Sequence, residues 1–327
     1  MALLKENNAQ LCVATAGGGK TTFAQIKILL EKLWRKSKNG KKLIDGNNIL
    51  CLVYNKHNKR DMINKQKFFV NEVNIHTPSS IHLDTNINAC TMHAFCNLWA
   101  NTYVIQMGLS NWRLMTDAMV ENSFKTAITV AKKKLSDDLD VNLDDLIQLY
   151  NYHRETMLGV SNLTEVDKFI DLGLPVSSVE LIFNIFNSIK KQKHVYDFTD
   201  MLQNFYDLIK NNDVILNNIR GCYDYIVADE VQDFTPIMWK ILQLLVDDGT
   251  PLLCIGDEDQ NIYSFRGANI YDTLHFNNIF KDAETFVLSR NRRCRKDILD
   301  LAKNVINKNS LRFEKEIKGV KDGGDVK

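Results

Sequence analysis

An α/β fold built on a parallel sheet is what this 327-residue sequence predicts, and three observations predict it. Short apolar runs recur at Leu11 to Ala14, Ile49 to Tyr54, Tyr225 to Asp229 and Leu252 to Ile255. Each is followed by a turn and a helix-compatible stretch, the alternation of βα units. Three of the runs end on a residue or loop suited to chemistry, and open α/β sheets gather ligands at the carboxyl ends of their strands. Between about residues 97 and 195 the strand pattern gives way to helical spacing, so a helical insertion is expected within the sheet domain.

Bulk properties narrow the class. With 45% apolar and 25% charged residues the chain reads as globular, and its length favours about two domains. A formal net charge of +1 leaves any nucleic-acid binding to local patches. Seven scattered cysteines without a CxxC pair speak against a disulfide framework or a zinc ribbon and for a reducing setting. Cys90, His93 and Cys96 recur every third residue, but zinc needs a fourth ligand, so an edge-packed segment is expected there. The opening residues lack the basic start and apolar core of a secretory signal, and no apolar run nears the roughly 20 residues that span a bilayer. The expected setting is the cytoplasm, or the inside of a host cell for a viral protein.

The first run leads into Ala14-Thr15-Ala16-Gly17-Gly18-Gly19-Lys20-Thr21 and then a helix-compatible stretch from Thr22 to Trp34. Glycines let the backbone curl so that N–H groups face phosphate oxygens, and a helix N-terminus adds its dipole. Ala16, Gly17, Gly18, Gly19 and Thr22 would line that cradle, Lys20 would reach the β- and γ-phosphates, and Thr21 would hold magnesium. Ala14 stands where the general pattern has its first glycine. Taken alone, the run also fits a flexible turn.

Two stretches between the runs carry their own expectations. Asn71 to Asn88, polar and containing Pro78, is expected to be a surface loop. Val179, Ile182, Phe183, Phe186 and Ile189 mark one helix of the insertion, with Ser177 or Ser178 placed to cap its start after Pro175.

The strand Tyr225 to Asp229 delivers adjacent carboxylates, Asp229 and Glu230, before Val231, Gln232 and Asp233. In a phosphate-loop enzyme Asp229 would share the magnesium shell with Thr21. Glu230 would orient and deprotonate the attacking water. Acidic residues also simply end strands at surfaces. With the phosphate loop expected one sheet neighbour away, the catalytic role is the favoured one.

After the last run stands Gly256-Asp257-Glu258-Asp259-Gln260-Asn261-Ile262-Tyr263-Ser264-Phe265-Arg266-Gly267-Ala268. Together with the phosphate loop and Asp229-Glu230-Val231-Gln232-Asp233, this resembles the UvrD/Rep/PcrA-type helicases of superfamily 1. Val53 to Met62 resembles that family's motif Ia, Thr91 to Phe95 its motif Ib, Asp197 to Asp200 its segment before the acidic strand, and Leu288 to Cys294 its motif IV.

The resemblance implies a RecA-like P-loop NTPase domain with a parallel sheet, carrying a helical insertion, and the start of a second RecA-like domain. The implied division is 1–96 and 196–280 for the first domain, 97–195 for the insertion and 281–327 for the opening of the second. It implies ATP and Mg2+ as cofactors and single-stranded DNA, or duplex with a single-stranded tail, as partner. Gln260 would sense the γ-phosphate with Gln232 in the same polar network, and Arg293 would act as an arginine finger does. Tyr54, Asn55, His93, Tyr263 and Phe265 would meet DNA. Stacking of a base on Tyr263 or Phe265 would be indifferent to sequence; packing in the core is the alternative for both, and a closer one for Phe265. Arg290 and Arg295 fit a solvated basic run.

The chain also departs from the family pattern. No glutamine motif of the usual form precedes the phosphate loop, and Arg292 replaces the base-stacking tyrosine, a role a guanidinium can fill. Nothing matches motifs V and VI, so a further region or a protein partner is expected to complete the cleft. The leading expectation is an ATP-dependent helicase or translocase moving 3′ to 5′. The alternative is a nucleotide-responsive DNA-binding module with little turnover, and a small-molecule kinase leaves the loop from Gly256 to Ala268 unexplained.

Overall fold

The computed structural model describes residues 9–35, 44–78, 82–136, 139–246 and 250–322. Its strands are β1 (Ala9–Ala14), β2 (Ile49–Val53), β3 (Asn88–Thr91), β4 (Arg113–Leu114), β5 (Val195–Tyr196), β6 (Tyr225–Asp229), β7 (Leu252–Gly256), β8 (Glu284–Leu288), β9 (Arg290–Arg295) and β10 (Lys318–Lys321). Its helices are α1 (Lys20–Trp34), α2 (Lys56–His76), α3 (Met92–Thr102), α4 (Asp117–Leu135), α5 (Leu143–Thr156), α6 (Asp167–Leu172), α7 (Val176–Lys193), α8 (Phe198–Lys210), α9 (Asp213–Arg220), α10 (Pro236–Leu245), α11 (Ile270–Leu274), α12 (Phe276–Ile279) and α13 (Lys296–Ile306).

Six strands form one parallel sheet in the order β3-β2-β6-β7-β1-β8. Alternate residues of each strand feed two separate apolar layers. Leu11, Val13, Leu50, Leu52, Ile226, Ala228, Leu252 and Cys254 pack with the buried faces of α3, α8, α9 and α10. Cys12, Ala14, Cys51, Val53, Val227, Leu253 and Ile255 pack with Phe23, Ala24 and Ile28 of α1 and Met62 of α2. A parallel strand covered on both faces has to be apolar throughout, and β1, β2, β6 and β7 are buried at every position.

A group of helices is inserted between α3 and α8, and the chain enters and leaves it at a short two-stranded pairing. The short strands β4 and β5 pair there, with the Arg113 N–H donating to the His194 carbonyl at 3.1 Å and the Met115 N–H to the Tyr196 carbonyl at 2.8 Å. Helices α4 to α7 share their own core, from Met115 to Val195, in which Phe124 and Phe186 stack at 3.9 Å. Residues 97–102 complete α3, which packs on the sheet side with α8.

One buried ion cluster ties the two cores together. The Lys190 ammonium on α7 donates to Asp197 at 2.5 Å, to Asp200 at 2.7 Å and to the Tyr150 hydroxyl at 2.8 Å. Burial alone would lower the ammonium's pKa, but Asp197, Tyr150 and Asp200 raise it, so Lys190 stays charged. Asp197 and Asp200 also form the capping box that starts α8. The Asp197–Asp200 segment is therefore a structural joint as well as a motif.

Three expectations are corrected. The acidic strand β6 does not lie next to β1, because β7 stands between them. The expected loop from Asn71 is helical to His76: Val70 and Val73 pack with Leu29, Leu33 and Leu83, and the Asn74 amide makes two 2.9 Å bonds with the backbone of Leu83. Residues 79–81 of that stretch lie outside the described residues. Neither Ser177 nor Ser178 caps α7. The helix begins at Val176, and the Pro175 carbonyl accepts the N–H groups of Ser178 and Val179.

After α12 the chain adds β8 to the main sheet beside β1, then turns into β9, which pairs with β10 in a separate two-stranded ribbon. No described helix is long and apolar enough to cross a membrane.

Candidate functional site

The carboxyl ends of β1, β6 and β7 open on one side of the sheet, and the phosphate loop follows β1 there. Gly17 at φ 74° and Gly19 at φ 94° take backbone conformations that side chains resist. At Gly17 a side chain would also collide, since a Cβ there would stand 2.6 Å from the Cβ of Arg293. Gly19 ends the loop at the N-cap of α1, which presents Lys20 and Thr21 in its first turn. Ala16 and Thr22 are exposed at the loop's rim.

Across the site, Glu230 leaves β6 in the left-handed region at φ 55°, a strained conformation for this residue type that turns its side chain out of the strand direction. There it accepts the Lys20 ammonium at 2.6 Å. Lys20 and Glu230 thus meet although β7 separates their strands. Burial, with Glu230 beside it, pushes the Asp229 carboxyl up to about 7 against the opposing pull of Lys20. Burial and Glu230 also push Asp233 up to about 7.

A hydrogen-bonded relay continues from this pair. Gln232 donates to Glu230 at 2.9 Å and accepts the Asp257 N–H at 3.0 Å. Gln260 donates to the Asp257 carboxylate at 2.5 Å, and Asn261 donates to the Gln232 carbonyl at 2.6 Å. Gly256 is required by this closeness, since a Cβ there would lie 2.8 Å from the Gln232 side-chain oxygen. Gln260 therefore joins Lys20 and Glu230 through Asp257 and Gln232.

The segment β9 covers the phosphate loop. Asn291, buried, donates to the Ala16 carbonyl at 2.5 Å and accepts the N–H groups of Arg293 at 3.0 Å and Cys294 at 2.8 Å. The Arg292 N–H donates to the Gly17 carbonyl at 3.0 Å, and its guanidinium reaches the Gly18 carbonyl at 3.5 Å. Arg293 lies over Gly17 with an exposed side chain. Sequence reasoning missed Asn291, although it stands within the motif that drew attention to Arg292 and Arg293.

Beside this site runs a groove of about 740 Å³ lined by Tyr54, Asn55, His93, Tyr263 and Phe265, and also by Phe198, Lys168, Glu155 and Arg266. All five residues expected to meet DNA therefore share one cavity. Tyr54 and Tyr263 lie 5.2 Å apart, Tyr263 and Phe265 6.1 Å, and Arg266 sits over both Tyr263 and Phe265. His93 stacks on Phe198 at 4.2 Å, and burial pushes its pKa down to about 4, leaving it neutral. Asn55 spends its side-chain oxygen on the start of α2, accepting the Asn58 N–H at 2.8 Å. Cys96 lies in the sheet core and Cys90 at its edge.

Glu155 of α5 gives the groove a pH response. Burial pushes its carboxyl from an ordinary 4.5 up to about 7, against the pull of Arg266. A carboxyl whose folded pKa is raised contributes stability that is full below the unfolded value and is lost as pH rises through the folded one. Stability is thus expected to fall between about 4.5 and about 7. Glu155→Gln makes that decline shallower, with Asp229 and Asp233 supplying the remaining slope. Thermal melts across the window check this, and an unaltered slope in the variant refutes it.

Comparison with known proteins places the chain in a family. The family model described as the UvrD/REP helicase N-terminal domain matches residues 1–281. A probable DNA helicase II homolog of Mycoplasma capricolum is 27% identical over 310 residues, covering 93% of this chain and 40% of the relative. An ATP-dependent DNA helicase PcrA of Leuconostoc citreum is 30% identical over 186 residues, covering 54% and 24%. The putative ATP-dependent DNA helicase YjcD of Bacillus subtilis is 28% identical over 186 residues, covering 57% and 24%. The matches thus span between about a quarter and two fifths of these relatives' lengths. With the family match extending over most of the sequence, from the phosphate loop through the Asp257–Ala268 loop, the chain belongs to the UvrD/REP helicase N-terminal domain family.

Proposed function

We propose that this chain is the nucleotide-binding part of an ATP-dependent DNA helicase that couples hydrolysis to 3′ to 5′ movement along single-stranded DNA in the cytoplasm. The observation that carries the reading is the 2.6 Å contact between Lys20 and Glu230. It brings the cation suited to a triphosphate and the carboxylate suited to activating water to one point.

In this reading the γ-phosphate takes Lys20 from Glu230, which is then free to orient the attacking water. Gly17, Gly18, Gly19 and Thr22 cradle the phosphates, and Arg292 and Arg293 approach from β9. Asp229 and Thr21 offer the hard oxygen donors that magnesium takes. A carboxyl that burial drives up to about 7 is one that a divalent cation returns to carboxylate. A magnesium ion held by Asp229 and Thr21 would neutralise phosphate charge. Gln260 and Gln232 report the γ-phosphate to the loop bearing Tyr263 and Phe265, which stack on bases in the groove with Tyr54, Asn55 and His93. The working division is 1–96 with 196–280 for the first RecA-like domain, 97–195 for the insertion and 281–327 for the opening of the second.

ATP turnover measured with and without a single-stranded oligonucleotide tests the reading. Strong stimulation by DNA is expected, greater on a 3′-tailed than on a 5′-tailed duplex. Binding of ATP and DNA without turnover favours instead a nucleotide-responsive DNA-binding module. A chain that binds no ATP sinks both.

A further inference from the structure

The turn after β7 carries three consecutive carboxylates, Asp257, Glu258 and Asp259, with oxygens within 4.8 Å of one another. Grouping three such charges away from water is unfavourable unless cations neutralise them. Those cations come from a distant part of the sequence, between α13 and β10. The fully enclosed Lys315 side chain places its ammonium 2.7 Å from Asp257, 2.8 Å from Glu258 and 2.8 Å from Asp259. Arg312 donates to Asp259 at 2.8 Å, and the Phe313 N–H donates to Glu258 at 2.9 Å. Burial alone would lower the Lys315 ammonium, and the carboxylates more than offset it.

Asp257 is also where the relay from the phosphate loop ends. Its carboxylate accepts Gln260, its N–H reaches Gln232, and Gln232 leads through Glu230 to Lys20. The segment holding Arg312 and Lys315 runs on into β10, whose partner β9 carries Asn291 onto the phosphate loop. One stretch of chain therefore grips the site from two sides.

Resting on the nucleotide-site reading above, we propose that Lys315, with Arg312, is a positioning residue that clamps the Asp257–Gln260 turn. Gln260 and Gln232 then hold their register with Lys20 and Glu230 only while the segment after α13 is docked. Without the ammonium the three carboxylates repel, the turn opens, and Gln260 loses its anchor. The nucleotide's α- and β-phosphates contact the glycine loop directly and are not affected. The clamp therefore acts on γ-phosphate recognition rather than on nucleotide binding in general.

The test compares ATP and ADP affinities of the whole chain by titration calorimetry. Lys315→Gln is expected to lower the preference for ATP over ADP by about fivefold, or about 1 kcal/mol at 1.4 kcal/mol per tenfold, with ADP affinity changed less than about twofold. Lys315→Arg is expected to keep most of the preference, and Lys318→Gln, at an exposed position of β10, all of it. A folded Lys315→Gln variant with the wild-type preference overturns the proposal. Should that variant not fold, Arg312→Gln decides by the same criterion. If the unaltered chain binds neither nucleotide, the nucleotide-site reading falls and this one with it. A preference that requires Lys20 but ignores Lys315 and Arg312 overturns this proposal alone.

Discussion

Lys20→Ala is expected to cut ATP turnover by at least about two orders of magnitude, the usual effect of deleting one charged or polar donor aimed at a reacting group. The ammonium sits at the mouth of the phosphate loop and already meets a carboxylate, Glu230, at 2.6 Å. Alanine would leave the glycine turn and the dipole of α1 in place but remove the counter-charge for the γ-phosphate. ATP affinity should fall by about 1.5 to 3 kcal/mol, the range for hydrogen bonds to charged groups. The fold should survive, because the Glu230 carboxylate keeps the hydrogen bond from Gln232 at 2.9 Å and keeps some contact with solvent. Phosphate release, calorimetric ATP binding and a thermal melt check the three parts. Unchanged turnover would remove Lys20 from the chemistry, and collapse of the fold would make it a structural residue instead.

How much of this site could be read from the sequence differs from residue to residue, for physical reasons. The phosphate loop was legible because positive φ and close approach admit little but glycine, and Gly17 meets both conditions. The strands β1, β2, β6 and β7 were legible because burial on both faces forces continuous apolar runs. The helix α2 beyond Asn71 was not, since its polar surface outweighs the thin apolar stripe of Met62, Val70 and Val73. Strand order was hidden as well: placing β7 between β1 and β6 is a property of the sheet, and local patterns do not encode it. Lys315 lies furthest from view. Three adjacent carboxylates in a buried turn demand a cation, but nothing in local spacing says which of the chain's lysines answers.

Tyr263→Ala is expected to weaken binding to single-stranded DNA by about 1 to 3 kcal/mol, the cost of losing one stacking platform. Its ring stands between Tyr54 at 5.2 Å and Phe265 at 6.1 Å, with the Arg266 guanidinium above it at 5.3 Å. Removing it breaks the row in the middle. The loss should be the same for homopolymeric and mixed sequences, because stacking does not read base edges. Phe265→Ala should cost less: Lys168 holds that position through the backbone carbonyl at 2.7 Å, which alanine keeps. Tyr263 also shares its loop with Gln260, so the variant should retain basal turnover while losing most of the stimulation by DNA. Fluorescence anisotropy on two oligonucleotides, with turnover measured in parallel, separates the outcomes. Affinity unchanged on both would move the DNA path out of this groove. Lost affinity with full stimulation at saturating DNA would instead leave the groove as a binding surface and uncouple it from Gln260.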